Sequence, residues 1–278
     1  MQYHAPRALQ NVRDAWRDGK LMPMGQVQSI SLSESTIAVP STSDTRSPWL
    51  DKRPTRYFFG KRLLDVLIAL LVGLSVALIV PLIVIAIKLD SPGPVIFKQQ
   101  RIRGRRTRME GGWAWSLEPF TFYKFRTMTV GATSTIHQRY MSAYITGDAS
   151  EMARTADGAT DSYKLTTDPR ITRIGKILRK LSIDELPQLW NVLIGDMSLV
   201  GPRPPLPYEV ELYDDRHVLR MTTASGITGW WQVNGRCLTN FDEMIDLDLD
   251  YIRRSSVWLD LKILVRTIPT VLTGRGAG

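Results

Sequence analysis

Two adjacent carboxylates, Asp184 and Glu185, lie in the segment KLSIDELPQLWN, just ahead of a proline. One interpretation is structural. Ser182 and Glu185 fit the S-x-x-E capping box, in which the serine caps the first backbone N–H groups and the glutamate reaches back. The other interpretation is chemical, because one carboxylate could be a nucleophile and its neighbour a helper. The spacing alone does not choose between the two interpretations.

Cationic residues flank this pair on both sides. Arg179 and Lys180 precede it, and Arg203 follows it in a rigid G-P-R-P turn. An arginine is suited to planar, bidentate contact with phosphate oxygens, and a helix beginning at Ser182 would stabilise negative charge in its first turn. An anionic nucleophile, cations that hold phosphate and carboxylates that bind Mg²⁺ are the groups that phosphoryl transfer on a diphosphate requires.

The composition narrows the class of protein. The formal net charge of +9 and the pI of about 9.8 favour anionic partners such as nucleic acid, phospholipid head groups or phosphorylated substrates. The single cysteine, Cys237, excludes an intrachain disulfide. The histidines His4, His137 and His217 lie far apart in the sequence, which argues against a zinc site.

One apolar segment, from Val66 to Ile87, runs for about 22 residues without a charge, which is long enough to cross a membrane. Pro81 removes a helix hydrogen bond inside it. Basic residues lie on both sides: Lys52, Arg53, Arg56, Lys61 and Arg62 before it, and Lys88, Lys98, Arg101, Arg103, Arg105 and Arg106 after it. Since positive charge marks the cytoplasmic side, a helix that breaks at Pro81 and returns to the same face fits. A spanning helix with a proline kink stays open as the alternative.

The rest of the chain divides around this segment. Residues 1–55 are polar and rich in Ser and Thr, without the apolar core of a secretion signal, and are predicted to be a mobile arm. Residues 56–90 are predicted to associate with a membrane, and residues 91–278 to form a cytosolic domain. Within that domain VIFKQQRI and FTFYKFRTM are strand-like, residues 105–119 are predicted to be a loop, and residues 129–165 a partly helical insertion.

Two further segments have the periodicity of amphipathic helices. In DPRITRIGKILRKLS, apolar residues recur at helical spacing and the opposite face is basic, which suits an anionic membrane surface or the solvated face of a helix packed on a core. The C-terminal segment VWLDLKILVRT has the same character. It is predicted to be either a second interfacial helix or a core helix.

The order of these motifs resembles a known family. The segments KRLLDVLIALL…PL, SPGPVIFKQQRI, FYKFRTM, DPRITRIGKILRKLSIDELPQLWNVLIGDMSLVGPRP, GITGWWQVNGR and DLDYI…WLDLKILVRT are similar to those of the bacterial sugar transferases, which are polyprenyl-phosphate sugar-phosphate transferases, also called monotopic phosphoglycosyl transferases. The resemblance covers roughly residues 57–275 and is specific, because several long motifs recur in the family's order.

The resemblance implies a reaction and a set of roles. A sugar phosphate would pass from a UDP-sugar to undecaprenyl phosphate, with release of UMP. Asp184 would attack the sugar-linked phosphorus, and Glu185 would bind Mg²⁺ or handle a proton. Arg179 and Arg203 would hold phosphate or nucleotide. Lys124 and Arg126 of the YKFRTM motif look like further phosphate-site residues, although ordinary strand-edge cations remain an alternative for these two.

The resemblance also implies a fold and a location. The fold would be α+β and mainly helical, a monotopic membrane protein with one re-entrant, proline-broken helix and interfacial helices around a small cytosolic catalytic domain. The enzyme would lie on the cytoplasmic face of the bacterial inner membrane, in contact with its lipid. The sequence leaves open whether it is a homo-oligomer. Two places depart from many relatives: Val80 replaces a serine before Pro81, and Ala224-Ser225 and Trp231 alter the GITGWW region.

Two other classes of protein remain as alternatives. A membrane-anchored scaffold without catalysis would not need the intact carboxylate pair. A membrane-tethered nucleic-acid-binding protein would fit the basic charge, but no recognisable DNA or RNA motif is present, so nucleic acid is not an expected partner.

Overall fold

The computed structural model describes residues 51–109, 112–131, 135–155, 170–234 and 240–273. Most of the predicted arm at 1–55, and the parts of the insertion at 132–134 and 156–165, therefore lie outside the described residues. The helices are α1 (Thr55–Ala77), α2 (Val80–Asp90), α3 (Thr135–Thr146), α4 (Ala149–Thr155), α5 (Arg173–Lys180), α6 (Gln188–Ile194), α7 (Pro207–Val210), α8 (Asp215–Val218), α9 (Trp230–Asn234), α10 (Phe241–Arg254) and α11 (Val257–Thr273). The strands are β1 (Ile96–Met109), β2 (Gly112–Phe125), β3 (Ser198–Val200) and β4 (Gly226–Thr228). The prediction of a mainly helical α+β protein is confirmed.

The apolar segment forms two helices rather than one. Helices α1 and α2 meet at an angle of 64°, and no single helix among the described residues is long and apolar enough to cross a membrane, although this bent pair together is. Pro81 lies in the first turn of α2, where its missing N–H would have had no partner in the helix. The predicted break at Pro81 is therefore confirmed.

Helix α1 buries charged residues and exposes leucines, which is the opposite of the pattern in a helix of a water-soluble protein. Its buried positions are Tyr57, Lys61, Asp65 and Ala69, which recur every fourth residue and include two charges. The leucines of its other face are exposed: Leu63, Leu67, Leu70, Leu71 and Leu74. A helix in water buries its apolar face, so the leucine face of α1 needs an apolar surrounding.

A long hairpin forms the side of the domain next to α1. Strands β1 and β2 pair antiparallel from Ile96↔Phe125 to Met109↔Gly112. The prediction that residues 105–119 form a loop was wrong, because both strands continue through them. The guanidinium carbon of Arg106 lies 3.9 Å from the ring centre of Phe58 and 4.3 Å from that of Trp113. These cation–π contacts stabilise a strand whose arginine-rich sequence has no apolar alternation.

Among the residues that the structure describes, three apolar clusters make up the core. The largest joins the far half of the hairpin to α3 and α10, and Tyr140, Met141 and Tyr144 of α3 are almost fully buried in it. The described part of the predicted insertion is thus helical, as expected, and it belongs to the core. The second cluster joins α1, β2, α6, β3, α10 and α11, and the third joins α2 to Phe125 of β2 and Leu178 of α5.

The two amphipathic helices pack on the core, as one interpretation of their pattern predicted, and each also exposes apolar side chains. Helix α11 buries Leu259 and Ile263 in the second cluster and exposes Trp258, Val265 and Ile268. Helix α5 buries Leu178 and exposes Ile177. Each helix therefore packs on the core with one face and presents apolar residues with another.

A buried ion pair lies beside the largest cluster. The Arg220 Nε donates to Asp248 Oδ2 at 2.9 Å, and another guanidinium nitrogen donates to the Tyr213 hydroxyl at 2.9 Å. Burial disfavours the carboxylate and raises the pKa of Asp248 from 3.8 to about 6, although the arginine opposes this shift. Between pH 4 and 6 the folded protein therefore binds this proton more tightly than the unfolded chain, and the stability that this group contributes falls as pH rises.

An Asp248→Asn variant is expected to lack this pH dependence, because an amide does not titrate in this range. The free energy of unfolding of the natural protein should fall, relative to that of the variant, on the order of 3 kcal/mol between pH 4 and 7. Thermal or denaturant unfolding of both proteins across this range measures the difference. A difference that stays constant with pH would contradict the assignment.

Candidate active site

The paired carboxylates lie in a short 3₁₀ turn, Ile183–Glu185, between α5 and α6. The predicted capping box was wrong. Ser182 adopts the left-handed conformation, with φ at 54°, and its side chain caps nothing. Its backbone N–H instead donates to the Arg179 carbonyl at 3.0 Å, so the residue ends α5. Glu185 is therefore not committed to a capping box with Ser182, and its carboxylate instead pairs with cations.

Two cationic side chains contact the carboxylate pair. The Lys124 Nζ lies 3.3 Å from Asp184 Oδ2 and 3.1 Å from Glu185 Oε1. A guanidinium nitrogen of Arg203 lies 3.2 Å from the same Glu185 oxygen. Asp184 is 6% exposed, whereas the other three side chains are partly open to solvent. The structure thus brings together four of the residues that the sequence predicted for the site.

An asparagine that sequence reasoning missed holds Lys124 beside the carboxylates. Asn191 of α6 is fully buried; its side-chain oxygen accepts from the Tyr123 N–H at 3.2 Å and its amide donates to the Thr121 carbonyl at 2.8 Å. These two bonds join the helix after the carboxylates to the strand that carries Lys124. The signal in the sequence is a single amide within the apolar run LWNVLI.

Arg203 is held on both sides of its turn. Before it, β3 and β4 pair in parallel so closely that a Cβ on Gly201 would lie 2.1 Å from the Ala224 carbonyl oxygen. After it, Arg101 donates to the Pro204 carbonyl at 2.6 Å, and the Ile102 N–H donates to the next proline carbonyl at 3.0 Å. The G-P-R-P turn is therefore a fixed support for a guanidinium. Arg101 is a second positioning residue that the sequence did not indicate.

The two remaining predicted residues have other contacts. The Arg179 Nε donates to the Thr127 hydroxyl at 2.9 Å, at the end of β2. The Arg126 guanidinium is buried and donates to the carbonyls of Ile87, Ser91 and Pro92, where α2 ends. These bonds make Arg126 a cap of α2, neither an exposed strand-edge cation nor a partner of the carboxylates.

The carboxylate pair fits Mg²⁺ only in combination with a substrate. Among the described residues no group of three or more His, Cys, Asp or Glu side chains is placed to hold a metal ion. Proteins commonly bind Mg²⁺ through one or two carboxylates together with substrate phosphates and water. The oxygens of Asp184 and Glu185 are ligands of that kind, so Glu185 remains the predicted protein ligand.

The site holds a carboxylate pair in contact with a lysine and an arginine, in a domain that also carries an apolar bent helix pair. These features suit an enzyme that transfers a group at phosphate. The chain belongs to the bacterial sugar transferase family, whose model matches residues 56–274. The resemblance found in the sequence motifs is thereby confirmed.

Several curated proteins are similar to this chain. The galactosyl transferase CpsE of Streptococcus agalactiae serotype III (strain NEM316) is 41% identical over 222 residues, which are 80% of this chain and 44% of that protein. The undecaprenyl-phosphate glucose phosphotransferase of Komagataeibacter xylinus is 40% identical over 228 residues, 78% of this chain and 36% of that protein. The exopolysaccharide production protein ExoY of Rhizobium meliloti (strain 1021) is 36% identical over 217 residues, 78% of this chain and 87% of that protein. The chain thus spans less than half the length of the first two relatives and most of the third.

Proposed function

We propose that this protein transfers a sugar phosphate from a UDP-sugar to undecaprenyl phosphate and releases UMP, as an early step in making a bacterial polysaccharide or glycoconjugate. The observation that carries the proposal is the placement of Lys124 between Asp184 and Glu185, with Arg203 on the other side of the glutamate. The name of the Komagataeibacter relative supports the lipid acceptor. No contact in the described part of the chain favours a scaffold or a nucleic-acid-binding protein over this function.

The reaction has two displacement steps at one phosphorus. In the first, an Asp184 carboxylate oxygen attacks the sugar-linked phosphorus, the bond from that phosphorus to the bridging oxygen breaks, and UMP leaves with that oxygen. In the second, a phosphate oxygen of undecaprenyl phosphate attacks the same phosphorus. The aspartyl–phosphorus bond breaks, the carboxylate is regenerated, and the lipid carries a diphosphate-linked sugar. A covalent intermediate divides one difficult transfer into two easier steps.

Each charged group has a distinct task in these steps. Lys124 and Arg203 hold the diphosphate oxygens and reduce repulsion between the substrate and the nucleophile. The Lys124 contact also holds the Asp184 carboxylate in place. Glu185, together with the substrate phosphates, would hold Mg²⁺, which would neutralise charge on the phosphate oxygens. Arg179, at the end of α5, has its Nε held by the Thr127 hydroxyl and is assigned to contact the nucleotide.

The same proposal places the bent helix pair in the cytoplasmic leaflet of the bacterial inner membrane. The buried charges and exposed leucines of α1 suit lipid. Both ends of the pair are attached to the same domain: α1 through Lys61 and Asp65, and α2 through Ile83 and Ile87, which pack near Leu178. A spanning helix would place its ends on opposite sides of the bilayer, whereas these attachments favour a re-entrant pair.

The function is tested by mixing purified protein with Mg²⁺, undecaprenyl phosphate and a panel of UDP-sugars, and by measuring UMP. At least one donor should give UMP and a lipid-linked sugar product. A folded protein that releases no UMP with any donor would exclude the transferase and return the scaffold as the better hypothesis.

The topology is tested with single cysteines at Arg56, Leu78 and Lys88 in a Cys237→Ser background. A membrane-impermeant thiol reagent should label the first and third sites only after the cytoplasmic side is exposed, and Leu78, at the tip of the pair, should stay protected from both sides. Labelling of either end from the periplasmic side would establish a spanning helix.

A further inference from the structure

Helix α1 carries, besides its leucines, charged residues that contact the segments of the candidate site. We propose that Lys61, Arg62 and Asp65, here called the α1 clamp, are positioning residues that fix the two segments carrying the site. One segment leads from Asp184 into α6, and the other is β3, which leads to Arg203. The inference rests on the proposed function, because it assigns the clamp an effect on how the site binds its phosphorylated donor.

Asp65 holds the start of the strand that precedes Arg203. One oxygen of its carboxylate accepts from the Ser198 hydroxyl at 3.0 Å and from the Leu199 N–H at 2.9 Å. Asp65 is almost fully buried. A buried carboxylate requires such partners, and here both belong to β3. The position of this strand is therefore tied to the position of α1.

Lys61 holds the other end of the same strand. Its ammonium donates to the Val200 carbonyl at 2.8 Å, three residues before Arg203, and pairs with Asp260 at 2.9 Å. The Tyr251 hydroxyl donates to the other oxygen of Asp260 at 2.8 Å. The ammonium is thus itself fixed by α10 and α11, and it transmits that constraint to the strand.

Arg62 binds the segment that follows the carboxylate pair. Its guanidinium donates to the carbonyls of Val192 and Leu193 at the end of α6, the second at 2.7 Å. The cation therefore caps the C-terminus of this helix, where positive charge is favourable. Since α6 also carries Asn191, which holds the strand of Lys124, the clamp constrains the segments that carry both cations of the site.

Simple anchoring does not require charges of this kind. Replacing a buried ion pair by well-packed apolar residues is often neutral or stabilising, whereas directional polar contacts can specify one arrangement. Strand β3 has three residues and pairs with a β4 of equal length, which is too little sheet to be rigid alone. The clamp supplies directional bonds at both ends of that strand, where a shift would move Arg203.

The experiment compares Asp65→Leu with Asp65→Asn in the full chain, purified in detergent and assayed for UMP release. The leucine variant removes both bonds to β3 and should raise KM for the UDP-sugar roughly 10-fold to 100-fold, since small misplacements of binding groups have effects of this size. The asparagine variant keeps an acceptor oxygen and should remain close to the natural protein. A milder variant, Ser198→Ala, removes one of the two bonds to Asp65, together with the 3.3 Å bond that the Ser198 hydroxyl accepts from the Val200 N–H within β3. It should raise KM roughly threefold.

The control is Asp248→Asn, which disturbs a buried ion pair that does not touch the clamp. It should lower thermal stability and leave KM unchanged. If Asp65→Leu folds with the natural KM, or if Asp248→Asn raises KM as much, the clamp is only structural and the inference fails. If Asp65→Leu does not fold, an unchanged KM in Ser198→Ala overturns the inference. If the natural protein itself releases no UMP, the proposed function, rather than the clamp, is refuted.

Discussion

An Asp184→Asn variant is expected to lose UMP release by roughly 10³-fold or more, because the amide is not a nucleophile for phosphorus. The substitution keeps the size of the side chain and an oxygen that can accept from Lys124. The loss should therefore appear in kcat, with little change in folding. Initial rates of UMP release, with undecaprenyl phosphate and the preferred UDP-sugar, measure it.

A second measurement on the same variant isolates the covalent step. Incubated with the UDP-sugar and Mg²⁺ but without undecaprenyl phosphate, the natural protein should gain the mass of one sugar phosphate, and Asp184→Asn should gain none. Asp250→Asn is the matched control, since Asp250 contacts only arginines of the outer face of α10 among the ion pairs described here. Full activity in Asp184→Asn would show that another group attacks the phosphorus.

A Lys124→Met variant is expected to lose roughly 10²-fold in kcat/KM, similar to the loss of one charge-stabilising donor in other active sites. Methionine fills a similar volume without the cation, so both carboxylates lose a contact and the diphosphate loses a positive charge. Steady-state rates as a function of UDP-sugar concentration measure the effect.

Lys98→Met is the matched control for this experiment. Lys98 is an exposed lysine of β1, paired in register with Tyr123, the residue just before Lys124. It should keep nearly full activity, which separates the effect of this one cation from that of any lysine on the hairpin. An equal loss in both variants would mean that the net positive charge of the hairpin, rather than a contact in the site, determines the rate.

The features that sequence reasoning predicted well are those encoded locally. The carboxylate pair, the break at Pro81 and the helical period of α5 each depend on residues within a few positions of one another. Arg203 was predicted from its rigid turn close to the pair, whereas Lys124 was predicted only through the resemblance of its motif to a family. The structure brings both cations to the pair.

The features that sequence reasoning missed depend on partners that are distant in the sequence. Residues 105–119, the outer part of the hairpin, were predicted to be a loop because the strand there is stabilised by cation–π contacts of Arg106 with Phe58 and Trp113 rather than by apolar alternation. The capping box failed because Ser182 ends one helix instead of starting another. Asn191 and Asp65 are single polar residues within apolar runs of the sequence. Their partners lie 70 and 133 residues away, respectively, a separation at which no local pattern is informative.

The ion pair between Lys61 and Asp260 joins residues 199 positions apart, which has a consequence for how the protein is made. At ribosomal speeds of about 5 to 20 residues per second, roughly 10 to 40 s pass between synthesis of the lysine and of its partner. During that interval the Lys61 ammonium has no access to the carboxylate that pairs with it in the folded protein. The ion pair that helps to bury this ammonium therefore forms only after α11 has been made, so the domain closes around α1 late in synthesis.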